Sequence, residues 1–175
     1  MNLETFSNFA LIAGWPRGPV AGGVSYMMQR GRGLTFRYSI EQTQVHMGFQ
    51  PIENYGVIGN MQSIALVGMN GSIDFLCYPD FDSPTVFAAL LDDHKGGRFE
   101  IRPQLTNMRV RQLYLPNTNI LLTRFLAEEG VVELTDYMPI EEDAEQPNEI
   151  VRMVAVIRGN VRLNMRCAPR FNYAT

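Results

Sequence analysis

Residues 64–78 read IALVGMNGSIDFLCY, and this stretch decides the fold class. Two apolar runs flank Asn70-Gly71, and an Asn-Gly pair in that setting is the strongest short-range signal of a β-hairpin. It is typical of a type I′ turn, in which both central residues have positive φ. In the second run Ile73, Phe75 and Cys77 share one face, and Asp74, Leu76 and Tyr78 share the other. Because both faces are largely apolar, this strand is predicted to be central and covered on both sides.

Residues 83–91 predict the only helix of consequence. Ser83 can cap a helix, and Pro84 suits the first helical position, where its missing N–H costs nothing. The apolar run over 85–91 then extends for about two helical turns. The Gly96-Gly97 pair follows shortly afterwards and ends the segment. We therefore expect one short helix in an otherwise all-β chain.

The remaining sequence alternates strands with turns. Two further hairpins are predicted, one joining 119–127 to 131–138 and one joining 150–158 to 161–168 around Gly159-Asn160. Residues 98–102 alternate with Phe99 and Ile101 inward, 108–115 alternate more weakly, and 141–149 form an acidic, proline-containing surface loop. Strands that recur about every 8–14 residues with turn chemistry between them predict an antiparallel β-sandwich.

Composition and charge restrict the class of protein. The 175 residues are 46% hydrophobic and 19% charged, which is enough apolar material for the core of one domain. With 15 basic against 18 acidic residues, the chain is a poor nucleic-acid binder. No apolar run reaches the roughly 20 residues that a membrane span requires. Cys77 and Cys167 make no disulfide scaffold, and we expect a cytoplasmic protein.

Residues 1–46 differ in character from the rest. They carry four arginines against two glutamates, a net charge of +2, and the total of −3 leaves −5 for residues 47–175. Breakers such as Trp15-Pro16, Gly18-Pro19 and Gly22-Gly23 interrupt any periodicity. We expect a poorly ordered or mis-started extension over 1–46, with a functional arm as the alternative, and one domain over 47–175.

Residue types that carry catalysis or bind metals are sparse. His46 and His94 are the only histidines, and both are predicted to be solvated loop residues. Cys77 and Cys167 fall on predicted strands without CxxC spacing, which favours buried apolar thiols. The sequence contains no GxGxxG, Walker or HExxH motif. We expect neither a cofactor nor a metal.

The loop after the predicted central strand combines aromatic rings and carboxylates. Asp74, Asp80 and Asp82 are close enough in sequence for acid–base chemistry or a hard cation. The structural alternative is that Asp82 belongs to a helix start and that Asp80 is a solvated residue. An aromatic face can pack against a sugar ring while carboxylates accept hydrogen bonds from its hydroxyls. The candidate saccharide-binding residues are therefore Tyr78, Asp80, Phe81 and Asp82, with no catalytic or metal-binding residue assigned.

Several sequence blocks carry a family resemblance. In order they are PIENYGVIGN (51–60), GSIDFLC (71–77), PDFDSP (79–84), YLPNTN (114–119), ELTDYMP (133–139) and RCAPRFNY (166–173). They resemble the N-terminal domain of bacterial and archaeal family 15 glycoside hydrolases, the glucoamylase and trehalase-like enzymes. The resemblance runs from about residue 50 to the last residue. The chain departs from the family pattern at Phe75, where tryptophan is common, and at Asp80, where arginine is common and the charge is reversed.

The resemblance implies a large β-sandwich of the super-sandwich type, followed by an (α/α)6 barrel that hydrolyses terminal α-glucosidic bonds with inversion. Inversion needs an acid and a base about 6.5–9.5 Å apart, and in this family both are glutamates of the barrel. The chain ends before any barrel, so the resemblance assigns it no catalytic residue and implies an incomplete sandwich.

The expected function is that of a non-catalytic domain which packs on the barrel and helps to shape its entrance. Its partners are then its own barrel and an α-glucosidic saccharide. Two alternatives stay open: a stand-alone carbohydrate-binding sandwich, and a structural or interaction module that presents an exposed sheet edge. The sequence does not choose between glucoamylase and trehalase.

Overall fold

The protein, described here by a computed structural model, forms two β-sheets packed face to face; the structure describes residues 8–14, 25–26, 36–38, 50–140 and 149–174. The strands are β1 (Asn8–Gly14), β2 (Ser25–Tyr26), β3 (Phe36–Tyr38), β4 (Tyr55–Gly59), β5 (Ile64–Gly68), β6 (Ser72–Cys77), β7 (Thr85–Phe87), β8 (Arg98–Pro103), β9 (Arg109–Tyr114), β10 (Leu121–Leu126), β11 (Val131–Tyr137), β12 (Glu149–Arg158) and β13 (Leu163–Ala168). Short 3₁₀ turns lie at Ile52–Asn54 and Phe171–Ala174. The predicted all-β sandwich is confirmed.

The strands are divided between the sheets as follows. The first sheet has the order β2-β1-β12-β11-β10-β9, and the second has the order β3-β13-β8-β6-β5-β4 with β7 attached to β6. Neighbouring strands are antiparallel except for β3 and β13, which are parallel. The described residues contain no helix that is long and apolar enough to cross a membrane.

The core lies between the two sheets. Phe99 and Ile101 of β8 are buried in it, as the alternation predicts, together with Phe125 and Leu134 of the first sheet. Strand β6 lies between β5 and β8, and all of its residues except Phe75 are buried. The prediction that this strand is central and covered on both sides is confirmed.

The hairpin around Asn70-Gly71 forms as predicted, but with a different turn. Gly71 has φ +84°, whereas Asn70 is not among the residues with positive φ, so the turn is not type I′. The Gly71 N–H donates to the Gly68 carbonyl at 2.9 Å, and the Asn70 side chain accepts from the Ser72 N–H at 3.1 Å. This arrangement is a four-residue turn over 68–71 whose last residue is a left-handed glycine, a common longer hairpin connection.

The short helix predicted at residues 83–91 is wrong. The segment instead contains strand β7, and five consecutive residues, Thr85 to Ala89, are buried. N–H groups of the segment bond outside it, since the Ala88 N–H donates to the Gly96 carbonyl at 2.7 Å and the Leu90 N–H donates to the Asp74 carbonyl at 3.0 Å. A surface helix would have left one side of the run in water, so the burial of five consecutive residues favours the extended form.

Of the two other predicted hairpins, one forms and one does not. Strands β10 and β11 pair antiparallel, as expected. Strands β12 and β13 do not pair, because β12 lies between β1 and β11 in the first sheet while β13 lies between β3 and β8 in the second. Gly159, at φ +84°, therefore begins a crossing between the sheets and not a hairpin.

Two predictions fall largely outside the described residues. The acidic loop predicted at 141–149 lies outside the described residues except for Glu149, which begins β12. The extension over 1–46 is described only in strands β1, β2 and β3, which pair with β12, β1 and β13 respectively. The domain boundary near residue 47 stays a prediction.

Candidate functional site

The loop between β6 and β7 forms a tight turn with its polar groups outward. The Asp80 N–H donates to Ser83 Oγ and the Ser83 N–H donates to the Asp80 carbonyl, both at 3.1 Å. Phe81 and Asp82 thus occupy the two central positions of the turn. Their side chains and that of Asp80 are exposed.

The four predicted binding residues separate into two environments. Tyr78 belongs to the hydrophobic core and is buried, so its ring is no part of the exposed loop surface. Asp80, Phe81 and Asp82 are brought together at the tip of the loop. The loop, not the strand end, carries what remains of the predicted site.

A second segment lies against the start of β7. The Arg170 N–H donates to the Val86 carbonyl and the Tyr173 N–H to Thr85 Oγ1, both at 2.9 Å. Asn172 and Tyr173 have φ +51° and +57°, the left-handed region that non-glycine residues adopt at a cost of about 1–3 kcal/mol each. Phe171 and Tyr173 are both exposed. The 170–173 segment is therefore bonded to the start of β7, which begins two residues after the loop closed by Ser83.

Asp74 is separated from the other two carboxylates of its sequence cluster. It is buried and accepts hydrogen bonds from Tyr55 Oη at 2.8 Å and Ser72 Oγ at 2.6 Å, and Arg98 lies 3.6 Å away. Burial, and then the Asp74 charge, raise the pKa of the Tyr55 phenol well above its ordinary value. Asp74 is thus a structural anchor between β4, β6 and β8, and no acid–base pair forms with Asp80 or Asp82.

The carboxyl groups with perturbed acidity are poor candidates for a catalytic acid. Hydrogen bonds from the backbone N–H groups of Lys95 and His94 lower the pKa of Asp92, and Thr106 lowers that of Glu129 in the same way. A general acid at neutral pH needs its pKa raised. Within the described ranges, no group of three or more His, Cys, Asp or Glu side chains is placed to hold a metal ion.

Arg152 connects the two sheets through the core. Its Nε and Nη2 donate to Asp136 at 2.8 and 3.2 Å, within the first sheet. Its Nη1 donates to the Phe99 carbonyl at 2.6 Å and its Nη2 to the Gly71 carbonyl at 2.8 Å, both in the second sheet. The guanidinium carbon lies 4.7 Å from the centroid of the Phe99 ring. Both Arg152 and Asp136 are completely buried.

Sequence reasoning missed this pair, although a signal was present. Arg152 falls at an inward position between Ile150 and Val154 in the alternation of its strand, where a charge needs a buried partner. Asp136 occupies the matching inward position of the preceding strand. Two opposite charges on the inner faces of adjacent strands indicate an internal ion pair.

Most of the chain matches the sequence model of one protein family. Residues 45–175 match the sequence model of the family described as trehalase-like, N-terminal. No solved structure gives a significant match.

Several curated trehalases are similar to the chain. A trehalase of Thermoplasma volcanium is 38% identical over 129 residues, which cover 72% of this chain and 21% of the relative. Trehalase 1 of Sulfolobus acidocaldarius is 43% identical over 127 residues, 73% of this chain and 20% of the relative. A trehalase of Mycolicibacterium smegmatis is 31% identical over 143 residues, 71% of this chain and 21% of the relative. The chain thus spans about a fifth of the length of these relatives.

Proposed function

Because this chain belongs to the trehalase-like N-terminal domain family, we propose that it is the non-catalytic N-terminal domain of an inverting, exo-acting α-glucosidic hydrolase. In this role it packs on an (α/α)6 catalytic barrel and helps to shape the barrel's entrance. The observation that carries the proposal is the family match over 45–175 in a chain that spans only a fifth of its relatives. The other four fifths of their length leave room for a separate catalytic domain.

The carboxylates of the described residues support a non-catalytic role. Asp74, Asp93, Glu133 and Asp136 are each paired with an arginine. An inverting glycosidase needs two carboxyl groups that face the substrate. These four carboxyl groups face arginines of the same domain instead, which supports a structural use for them.

We propose an α-glucoside as the substrate of the whole enzyme. The relatives described above carry the name trehalase, which favours trehalose over a starch-derived saccharide. We also propose a cytoplasmic location, because the two cysteines of the sequence are too few for a disulfide scaffold.

The proposal is tested in the complete reading frame that contains this chain. The frame is expressed whole and without residues 47–175, and glucose release from trehalose and from maltose is measured beside solubility. We expect the whole protein to be active, the deleted protein to be insoluble or inactive, and the 175-residue chain alone to release no glucose. A deleted protein that stays soluble and fully active contradicts the packing role, and glucose release by the 175-residue chain contradicts the non-catalytic role.

A further inference from the structure

Exposed aromatic side chains occur mainly in two segments of the described residues, the loop that precedes β7 and the 170–173 segment that is hydrogen-bonded to β7. Among the described residues, the aromatic side chains with large exposure are Phe81 at 55%, Phe171 at 44%, Tyr173 at 53% and Tyr114 at 45%. The position of Tyr114 has a structural reason. Its hydroxyl accepts a hydrogen bond from the Val57 N–H at 2.7 Å and donates one to the Val57 carbonyl at 2.9 Å, on the edge strand β4. The other three flank the start of β7, and we call them the β7 aromatic surface.

The backbone holds these rings outward. Phe81 sits at the tip of the turn closed by Asp80 and Ser83, only four residues before Thr85. The left-handed conformation at Asn172 and Tyr173 is stabilised by a hydrogen bond to β7, because the Tyr173 N–H donates to Thr85 Oγ1. Strained backbone that persists in a folded protein is concentrated at ligand-binding sites. Phe171 and Tyr173 are nevertheless exposed, so burial of their rings does not offset the cost of this backbone conformation.

Polar groups around the rings indicate which ligand fits. Phe81 lies between Asp80 and Asp82, and Asn172 separates Phe171 from Tyr173. The centres of protein–protein interfaces are depleted in aspartate, so these flanks disfavour a docking surface for another protein. A sugar ring offers an apolar face to an aromatic side chain and a rim of hydroxyls to carboxylates and amides.

We propose that the β7 aromatic surface binds a glucose ring of an α-glucosidic saccharide. The rings of Phe81, Phe171 and Tyr173 stack on the sugar, and Asp80, Asp82 and Asn172 accept hydrogen bonds from its hydroxyls. The inference rests on the proposed function, because the entrance of an α-glucosidic hydrolase is where a saccharide would reach this surface. It adds that this domain contacts the sugar itself.

The test is a titration of the 175-residue chain with trehalose and with maltose, followed by two-dimensional amide NMR. Mannitol is the control ligand, because it carries similar hydroxyls but has no ring face to stack. We expect saturable shifts confined to the two segments with the disaccharides and none with mannitol. Removing one ring in Phe81→Ala or Tyr173→Ala should weaken binding about tenfold.

Matched variants separate ring stacking from general damage. Ile157→Ala removes a similarly exposed apolar side chain from the first sheet and should leave binding unchanged. Phe81→Leu keeps an apolar side chain at the turn but removes the flat ring. Because stacking needs the ring, this variant should bind the sugar as weakly as Phe81→Ala does. Amide spectra of the free variants establish that each is folded before its titration is interpreted.

Three outcomes overturn the inference. They are the absence of saturable binding up to the solubility limit of the sugars, binding that the ring variants leave intact, and self-association that Tyr173→Ala abolishes without sugar binding. The last result would assign the surface to protein docking instead. None of these outcomes decides the proposed function, which the deletion of residues 47–175 from the complete reading frame tests separately.

Discussion

Replacing Arg152 by methionine should destabilise the sandwich more than any surface change in the same sheet. The substitution keeps most of the side-chain volume but leaves the Asp136 carboxylate buried without its partner. Removing one member of a buried ion pair costs about 3–5 kcal/mol. The Phe99 carbonyl also loses a donor, at up to about 1–3 kcal/mol, whereas the Gly71 carbonyl loses one donor but keeps the Ile101 N–H at 3.0 Å. Because these contributions overlap, we expect a loss of about 4 kcal/mol, a large part of the 5–15 kcal/mol typical of a folded domain.

The first sheet provides a matched control for this measurement. Arg124 and Glu133 also face each other across adjacent strands as an ion pair, but the Arg124 side chain is 44% exposed. Exposed pairs contribute about 0–1 kcal/mol, so Arg124→Met should have a small effect. The assay is urea unfolding followed by far-UV circular dichroism, with the midpoint and slope compared for all variants.

The double variant Arg152→Met, Asp136→Leu completes the experiment. It leaves no buried charge at this position, so it should be more stable than Arg152→Met alone, even though the Phe99 and Gly71 carbonyls still lack the donors that Arg152 supplied. If Arg152→Met lowers stability no more than Arg124→Met does, the reasoning that Arg152 joins the sheets is refuted.

Three further predictions concern other described residues. Gly71→Ala should destabilise by more than about 1 kcal/mol, since φ is +84° and a Cβ would clash with a β8 carbonyl oxygen; unchanged urea unfolding would contradict this. Because burial raises the pKa of Tyr55, the folded chain keeps the phenol proton that the unfolded chain loses, so stability should fall as pH rises above about 10. Tyr55→Phe should flatten that fall, and identical pH profiles for the two proteins would disprove the linkage. Burial also raises the pKa of the Cys77 thiol, so iodoacetamide at pH 8 should modify the less buried Cys167 first, as peptide mass spectrometry would show.

Local sequence patterns predicted those parts of the fold that depend on local interactions. The alternation around Phe99 and Ile101 and the Asn70-Gly71 hairpin were correct, because side-chain period and turn chemistry act within a few residues. The helix predicted at 83–91 was wrong. Ser83 and Pro84 are compatible with a helix start, but the hydrogen bonds from Ala88 to Gly96 and from Leu90 to Asp74 hold the segment in another conformation. Tertiary hydrogen bonds of that kind leave no local pattern.

The candidate site was only partly predictable for a similar reason. The loop at Asp80, Phe81 and Asp82 was identified, since turn residues with an aromatic neighbour are visible in sequence. Phe171 and Tyr173 were not joined to that loop, because the hydrogen bond that links their segment to β7 spans 88 residues between Tyr173 and Thr85. Pairing at that separation is visible only in the folded chain.

The placement of β13 has a consequence for the protein during its synthesis. Leu163 pairs with Pro103, so about 60 residues must be translated before β8 acquires its second neighbour. At about 5–20 residues per second, the nascent β8 edge stays open for about 3–12 s while four strands of the other sheet leave the ribosome. Arg98, Glu100 and Arg102 alternate along that edge and keep it charged during the interval. Slow codons between residues 103 and 163 should therefore increase aggregation of the newly made chain, whereas slow codons after residue 168 should have little effect.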